Sequence, residues 1–282
     1  MKKTLTLFLI TAAVLFSIGY LLSQQDFSKV EIKAQQVTDN IYMLQGSGGN
    51  IGVSVGDDGI LMIDDQFAPL AQKIETALKE LSSGSLKYVL NTHYHGDHTG
   101  GNEVFGKTST IVAHNNVRKR LSTEQMRRGQ PVAPKPKEAW PVITFDSSVS
   151  IHFNGEEIRA MHYPSAHTDG DAVIYFVSSN VVHMGDNFFA GRFPYVDLGA
   201  GGSVQGLIAA IENVIASVPA DVKLIPGHGP LSTLDDLKAY HGMLSETSKI
   251  VQEKIKAGKD LETIQSEGLP EKWQAWGSGF IN

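Results

Sequence analysis

The sequence predicts an α/β sandwich, two mixed β-sheets packed face to face with helices on the outer faces. Two observations carry this. Each half of the chain reads as several short strands followed by a helix and a further strand, an order that stacks sheet on sheet and leaves helices outside. No internal repeat or low-complexity linker divides the 282 residues. With 41% hydrophobic and 19% charged residues, and 28 Gly and 11 Pro scattered along the chain, the composition supports a sizeable core and excludes disorder or a collagen-like structure.

In chain order, Met1-Lys2-Lys3 precedes an uncharged, mostly apolar run from Thr4 to Gln25, closed by Asp26. A basic start followed by an apolar stretch is the pattern of an export signal, and a run of roughly 20 residues also suffices to span a bilayer uncleaved. Residues 1–25 are therefore expected to be a signal peptide or an N-terminal membrane anchor. Residues 30–282 are expected to form one domain with C-terminal helices, exported and periplasmic or otherwise extracytoplasmic.

Short strands are expected at Val30–Gln36, Ile41–Leu44, Ile51–Val55 and Ile60–Ile63, with Gly56-Asp57-Asp58-Gly59 as a hairpin turn between the last two. Leu70, Ile74, Ala77, Leu78 and Leu81 recur at helical spacing, with Pro69 at the first turn and Gly84 as a stop. A strand follows at Leu86–Leu90. A second series covers Val142–Phe145, Val149–Phe153, Ile158–Tyr163, Ala172–Val177 and Val181–Met184. Ser203 caps a helix whose apolar face is Val204, Leu207, Ile208, Ile211, Val214 and Ile215, and the strand Val222–Ile225 comes next. Thr233 and Asp236 form a capping box for a last long helix. The stretch Arg118–Pro141 carries seven Lys or Arg against two acids and four prolines; it reads either as a solvated loop or as a flap over a site that favours an anionic substrate.

The 24 Lys and Arg against 30 Asp and Glu leave a net charge of −6, which argues against nucleic acid as a partner, since phosphate neutralisation dominates such binding. The chain has no cysteine. Disulfides, thiolate metal sites and Cys nucleophiles are excluded, and any metal must be held by His, Asp or Glu.

Such residues are concentrated directly after the strand Leu86–Leu90, in His93-Tyr94-His95-Gly96-Asp97-His98. In extended backbone His93 and His95 project to the same side and can grip one ion. Asp97 and His98 follow Gly96, where the chain can turn toward a neighbouring ion. Gly100-Gly101 suits a tight turn into a short helix, with Asn102 available to that turn. His167, Asp186 and His228 each follow a predicted strand, where loops on one sheet edge can converge.

The series His93-x-His95-x-Asp97-His98, then His167, Asp186 and His228, resembles the metallo-β-lactamase-fold hydrolase superfamily, from about Val37 to His228. The resemblance implies that residues 30–282 are a hydrolase domain, an αββα sandwich with its site on one edge of the sheets. It implies one zinc on His93, His95 and His167 and a second on Asp97, His98 and His228, with Asp186 bridging or completing the second. Asp64, at the end of Ile60–Ile63, matches the family's acid that orients a ligand imidazole or its backbone.

Nitrogen and oxygen ligands suit two Zn2+, with Fe or Mn as the alternatives. Two such ions about 3.5–4 Å apart lower the pKa of a shared water to about 7, and Asp97 is the candidate catalytic residue that accepts a hydrogen bond from the resulting hydroxide. The expected reaction is hydrolysis of a small-molecule amide, ester or thioester. Export points first to a β-lactamase-like activity on cyclic amides. The alternative is a lactone, thioester or other ester hydrolase, glyoxalase II-like or lactonase-like. Asp rather than Cys at position 186, and Phe189 where the most studied β-lactamases carry a carboxylate-binding Lys, weigh toward that alternative; Arg192 is the candidate substitute for the Lys.

Overall fold

The computed structural model describes residues 26–127, 129–279 and 281; the expected signal or anchor, residues 1–25, lies outside the described residues. All elements below belong to the unit Glu31–Asn282.

From Lys33 to Ile63 the chain forms an antiparallel meander of β1 (Lys33–Gln36), β2 (Ile41–Gln45), β3 (Ile51–Gly56) and β4 (Gly59–Ile63). The β3–β4 hairpin closes on Asp57-Asp58, with Gly59 at a φ of 116° that favours glycine. Helix α1 (Ala71–Leu81) then carries the chain back, so that β5 (Leu86–Leu90) and β6 (Thr110–His114) add in parallel. Helix α2 (Asn115–Ser122) leads to a separate hairpin of β7 (Gln125–Arg127) and β8 (Gln130–Val132), and β9 (Ile143–Phe145) completes a seven-stranded sheet in the order β1-β2-β3-β4-β5-β6-β9.

The second sheet contains β10 (Ser148–Phe153), β11 (Glu156–His162), β12 (Ala172–Phe176), β13 (Val181–His183), β14 (Lys223–Ile225) and β15 (Ser232–Thr233), in chain order. Only β13–β14 is parallel, because α3 (Val204–Ser217) forms the crossover between them. Two more helices follow, α4 (Leu234–Lys256) and α5 (Leu261–Glu267). Ser203 accepts from the Gly206 N–H at the start of α3, and Thr233 with Asp236 makes the capping box of α4.

Between the sheets, Ile41, Met43, Leu61, Ile63, Leu90 and Val112 of the first meet Ile158, Ala160, Ile174, Phe176 and Ile225 of the second, all essentially buried. A second apolar cluster joins Val182 and Leu224 to Leu207, Ile211 and Val214 of α3 and to Leu237, Tyr240 and Leu244 of α4. Helices therefore cover the outer face of the second sheet, as the αββα expectation requires.

Three readings are corrected. The first strand starts at Lys33 and not Val30, and its residues are exposed, so apolar alternation fades there. The strand β6, with only Ile111-Val112-Ala113 as its apolar run, gives too short a signal to separate from a loop, yet it is fully inside the sheet. The segment Arg118–Pro141 is ordered as the end of α2, the β7–β8 hairpin and a turn of helix at Lys137–Ala139. There Arg120 is committed to Asp169 through two hydrogen bonds, Nε–Oδ1 at 2.8 Å and Nη2–Oδ2 at 2.7 Å.

Two substitutions test this packing. Ile158→Ala at the sheet interface should cost about 2–5 kcal/mol. Gly242→Ala in α4, where an added Cβ meets nothing within 4 Å, should add about 0.5–1 kcal/mol. Urea unfolding of both variants checks the pair; a neutral Ile158→Ala would contradict the sandwich core.

Candidate metal centre

Strands β4, β5, β11, β13 and β14 all end at one edge of the sandwich, and the segment after each carries a site residue. After β4, Asp64 has a φ of 61°, a left-handed conformation that Asp tolerates better than most residues. After β5, residues 91–95 stay irregular until a one-turn helix, Gly96–Thr99, sets Asp97 and His98. The Asn91 and Asn102 amides clasp each other (Asn102 Nδ2 to Asn91 Oδ1, 2.9 Å; Asn91 Nδ2 to Asn102 Oδ1, 3.2 Å) and close this loop at its base. After β11, the loop to His167 is held by Asp171, which accepts from the Thr168 N–H at 2.8 Å and from its hydroxyl. A Cβ at Gly49 would stand 2.1 Å from the His98 ring, and one at Gly227 would stand 2.1 Å from Asp186 Oδ1. Both close approaches require glycine.

All seven expected ligand residues come together, in two groups of side-chain donors: His93, His95, His167 and Asp186, and Asp97, His98 and His228. Within the first, His95 Nδ1 lies 3.1 Å from His93 Nε2 and 2.9 Å from His167 Nε2. In the second, His228 Nε2 lies 3.4 Å from Asp97 Oδ2. Asp186 faces both groups. Its Oδ2 is 3.4 Å from His167 Nε2 and 3.7 Å from His93 Nε2, and its Oδ1 is 3.0 Å from His98 Nε2 and 3.3 Å from His228 Nε2. Despite their 3.0 Å separation, His98 Nε2 and Asp186 Oδ1 are both buried and make no aligned hydrogen bond. Buried polar atoms left this way are costly, and lone pairs converging on a common point fit a cation.

Hydrogen bonds on the far side of four imidazoles determine which nitrogen faces inward. His98 Nδ1 donates to Asp64 Oδ2 at 2.7 Å. The Thr92 hydroxyl donates to the same oxygen at 2.7 Å and accepts from His93 Nδ1 at 3.0 Å. Thus one buried carboxylate is linked to a histidine in each group, directly to His98 and through the Thr92 hydroxyl to His93. His167 Nδ1 donates to the Tyr195 carbonyl at 2.7 Å, and His95 Nε2 donates to Asp197 Oδ2 at 2.9 Å. In its neutral form each ring then turns its other, lone-pair nitrogen toward the cluster. Thr92 directly precedes His93, whereas Tyr195 and Asp197 have no spacing relation to the motif; the nearest sequence hint to them is a polar phenol, Tyr94, between two ligand histidines.

The charges also call for a cation. Burial pushes His93 and His167 down, His167 to about 4. Burial acts the same way on His98 and His228, but Asp186 and the other acids outweigh it, so His98 stands well above the usual histidine range and His228 at about 9. Burial raises Asp186 and Asp97, and the surrounding histidines more than offset this, so both carboxyls remain ionised. The acids draw protons onto His98 and His228 where a metal would otherwise supply the charge.

A family model described as the metallo-beta-lactamase superfamily matches residues 44–230. The chain belongs to this superfamily. Among its relatives, the probable hydroxyacylglutathione hydrolase glo2 of Schizosaccharomyces pombe is 31% identical over 202 residues, covering 67% of this chain and 67% of the relative. The hydroxyacylglutathione hydrolase of Pelagibacter ubique is 26% identical over 192 residues, covering 64% of this chain and 68% of the relative. A solved metallo-beta-lactamase from Pontibacter korlensis superposes with a TM-score of 0.62 at 15% identity, covering 76% of this chain and 99% of the other, which shows a shared fold. As a superfamily member the chain is a metal-dependent hydrolase.

Phe189 stacks on His228 (centroids 4.9 Å apart, 19° between planes). Arg192 is half-buried, and the stem of its side chain passes within 3.4 Å of the position a Cβ would take at Gly279. Among the described residues no contact joins Arg192 to the seven ligand residues.

The close approach of Gly49 makes a direct test. Gly49→Ala should displace the His98 ring and weaken zinc binding by more than about tenfold, read by competition with a chromophoric chelator. Binding as tight as in the parent would contradict the geometry described.

Proposed function

We propose that this chain is a two-zinc hydrolase of thioesters or other esters of small molecules. The observation that carries the binuclear reading is the division of Asp186 between two groups of nitrogen and oxygen donors, each containing three further ligands. For the substrate, support comes from the relatives whose names specify hydroxyacylglutathione, an acyl thioester, and from aspartate at position 186. A β-lactam substrate has the likeness of fold on its side.

His93, His95 and His167 would hold one ion, Asp97, His98 and His228 the other, and Asp186 would touch both; an all-nitrogen and oxygen set of this kind suits zinc. When bound, such a pair supplies a water nucleophile at neutral pH and polarises the substrate carbonyl. Asp97 is the residue to orient that water. Its side chain is 28% exposed, whereas His98 and Asp64 are fully buried, so it is the ligand carboxylate that solvent and substrate reach. Held ionised by His98 and His228, it would accept the water's hydrogen bond, take its proton as the oxygen adds to the acyl carbon, and pass that proton to the sulfur or oxygen that leaves as its bond to the acyl carbon breaks. Phe189, flat against His228, keeps that imidazole from turning.

The basic, apolar N-terminus supports export to an extracytoplasmic compartment, as signal or anchor. Mass analysis of protein recovered from the periplasm of a host expressing the full chain would show residues 1–25 removed or retained; cytoplasmic protein alone would contradict export.

For the activity, zinc-loaded protein should hydrolyse an S-acyl glutathione or a lactone with kcat/KM at least about tenfold above that for a chromogenic cephalosporin, a gap of about 1.4 kcal/mol. Chelator should abolish turnover and zinc should restore it. Faster cephalosporin hydrolysis would establish the β-lactam reading instead.

A further inference from the structure

Asp197 Oδ2 is shared. It accepts from His95 Nε2 at 2.9 Å and from the Tyr94 hydroxyl at 2.7 Å. The other oxygen, Oδ1, accepts separately from the Ala200 N–H at 3.0 Å, and the backbone N–H of Asp197 donates to the His167 carbonyl at 2.9 Å. The carboxylate is therefore fixed by the loop that carries it, whether or not Tyr94 contributes. Tyr94 is held independently as well. Its ring tilts against His95 with centroids 4.6 Å apart, and the Arg120 guanidinium lies 5.0 Å from its centroid on a bidentate pair with Asp169.

A carboxylate oxygen that takes two donors divides its charge between them. The hydroxyl is the shorter of the two contacts, and a cation near the phenol ring makes that hydroxyl a better donor. The more charge Tyr94 draws from Oδ2, the less reaches the His95 imidazole, and the weaker a ligand its inward Nδ1 becomes. His98, in the other group, is backed in a parallel way, since Asp64 Oδ2 accepts from His98 Nδ1 and from the Thr92 hydroxyl, both at 2.7 Å. The hydroxyl that competes there is an aliphatic alcohol, a weaker donor than the Tyr94 phenol with its neighbouring guanidinium, and the two halves differ in this.

We propose that Tyr94 is a positioning residue that, through Asp197, lowers the affinity of the His93–His95–His167 group for its metal and makes the two halves bind with different strengths. This rests on the two-metal reading above. The phenol sets the strength of a ligand it does not touch through its oxygen, and the basic helix α2 reaches the site by way of Arg120.

The test is stepwise zinc binding by the full chain and its variants, measured by chelator competition, with cobalt substitution to report the ligand field of each half. Tyr94→Phe keeps the ring, its packing on His95 and its place beside Arg120, and removes only the hydroxyl. It should tighten one of the two zinc steps by about tenfold and leave the other unchanged, while Asp197→Asn should weaken the same step by about tenfold or more. In the Asp197→Asn background, Tyr94→Phe should have no further effect. If Tyr94→Phe leaves both steps unchanged, weakens either, or acts equally with and without Asp197, the proposal is wrong. Parent protein that fails to bind two zinc ions would instead refute the two-metal reading, so the two failures are distinguishable.

Discussion

Seven lone-pair donors converge on one buried edge of this molecule, and only positive charge makes that convergence favourable. Three carboxylates, Asp64, Asp97 and Asp186, lie within 4 Å of His98. Taking such groups out of water costs several kcal/mol each unless they are paired. The surrounding structure meets this demand from both sides. Far-side acceptors hold four imidazoles with their other nitrogen inward, and Asp186 spans the two groups with one oxygen toward each. Without a cation, the cluster recruits protons onto His98 and His228 in its place.

The sandwich makes the convergence rigid. Its inter-sheet core is built from side chains that are nearly all fully buried, so the ends of β4, β5, β11, β13 and β14 are set before any ligand loop is considered. Loops then travel only short distances. Asp64 sits one residue past β4, Asp186 lies in a turn of helix directly after β13, and His228 is three residues past β14. Glycines at 49 and 227 let backbone close over His98 and Asp186 where a Cβ would collide. The fold's stability and the precision of the site are in this sense one property.

How much of this is legible in the chain depends on the range of the interaction. The His93–His98 cluster is legible because three imidazoles and a carboxylate within six residues are costly to bury together unless a metal pairs them, and β2 to β5, α3 and α4 are legible because apolar period and caps repeat within a short window. The strand β6 is not, since three apolar residues flanked by Thr110 and His114 match a loop as well as a strand; its partners β5 and β9 decide the matter. Thr92 and Asp197 are equally silent. Asp197 acts across 102 residues on His95, and a lone aspartate after Pro194-Tyr195-Val196 carries no pattern. In the basic stretch Arg118–Pro141, the pairing of Arg120 with Asp169 across 49 residues is likewise invisible, because charge counting treats paired and unpaired cations alike.

Everything above turns on whether this edge holds two metal ions joined by Asp186. Elemental analysis of protein purified without chelator and reconstituted with zinc measures it most directly. Two ions per chain are expected, because the donors form two groups and a single tetrahedral ion needs only four ligands. A reproducible value of one ion or none would contradict the binuclear centre.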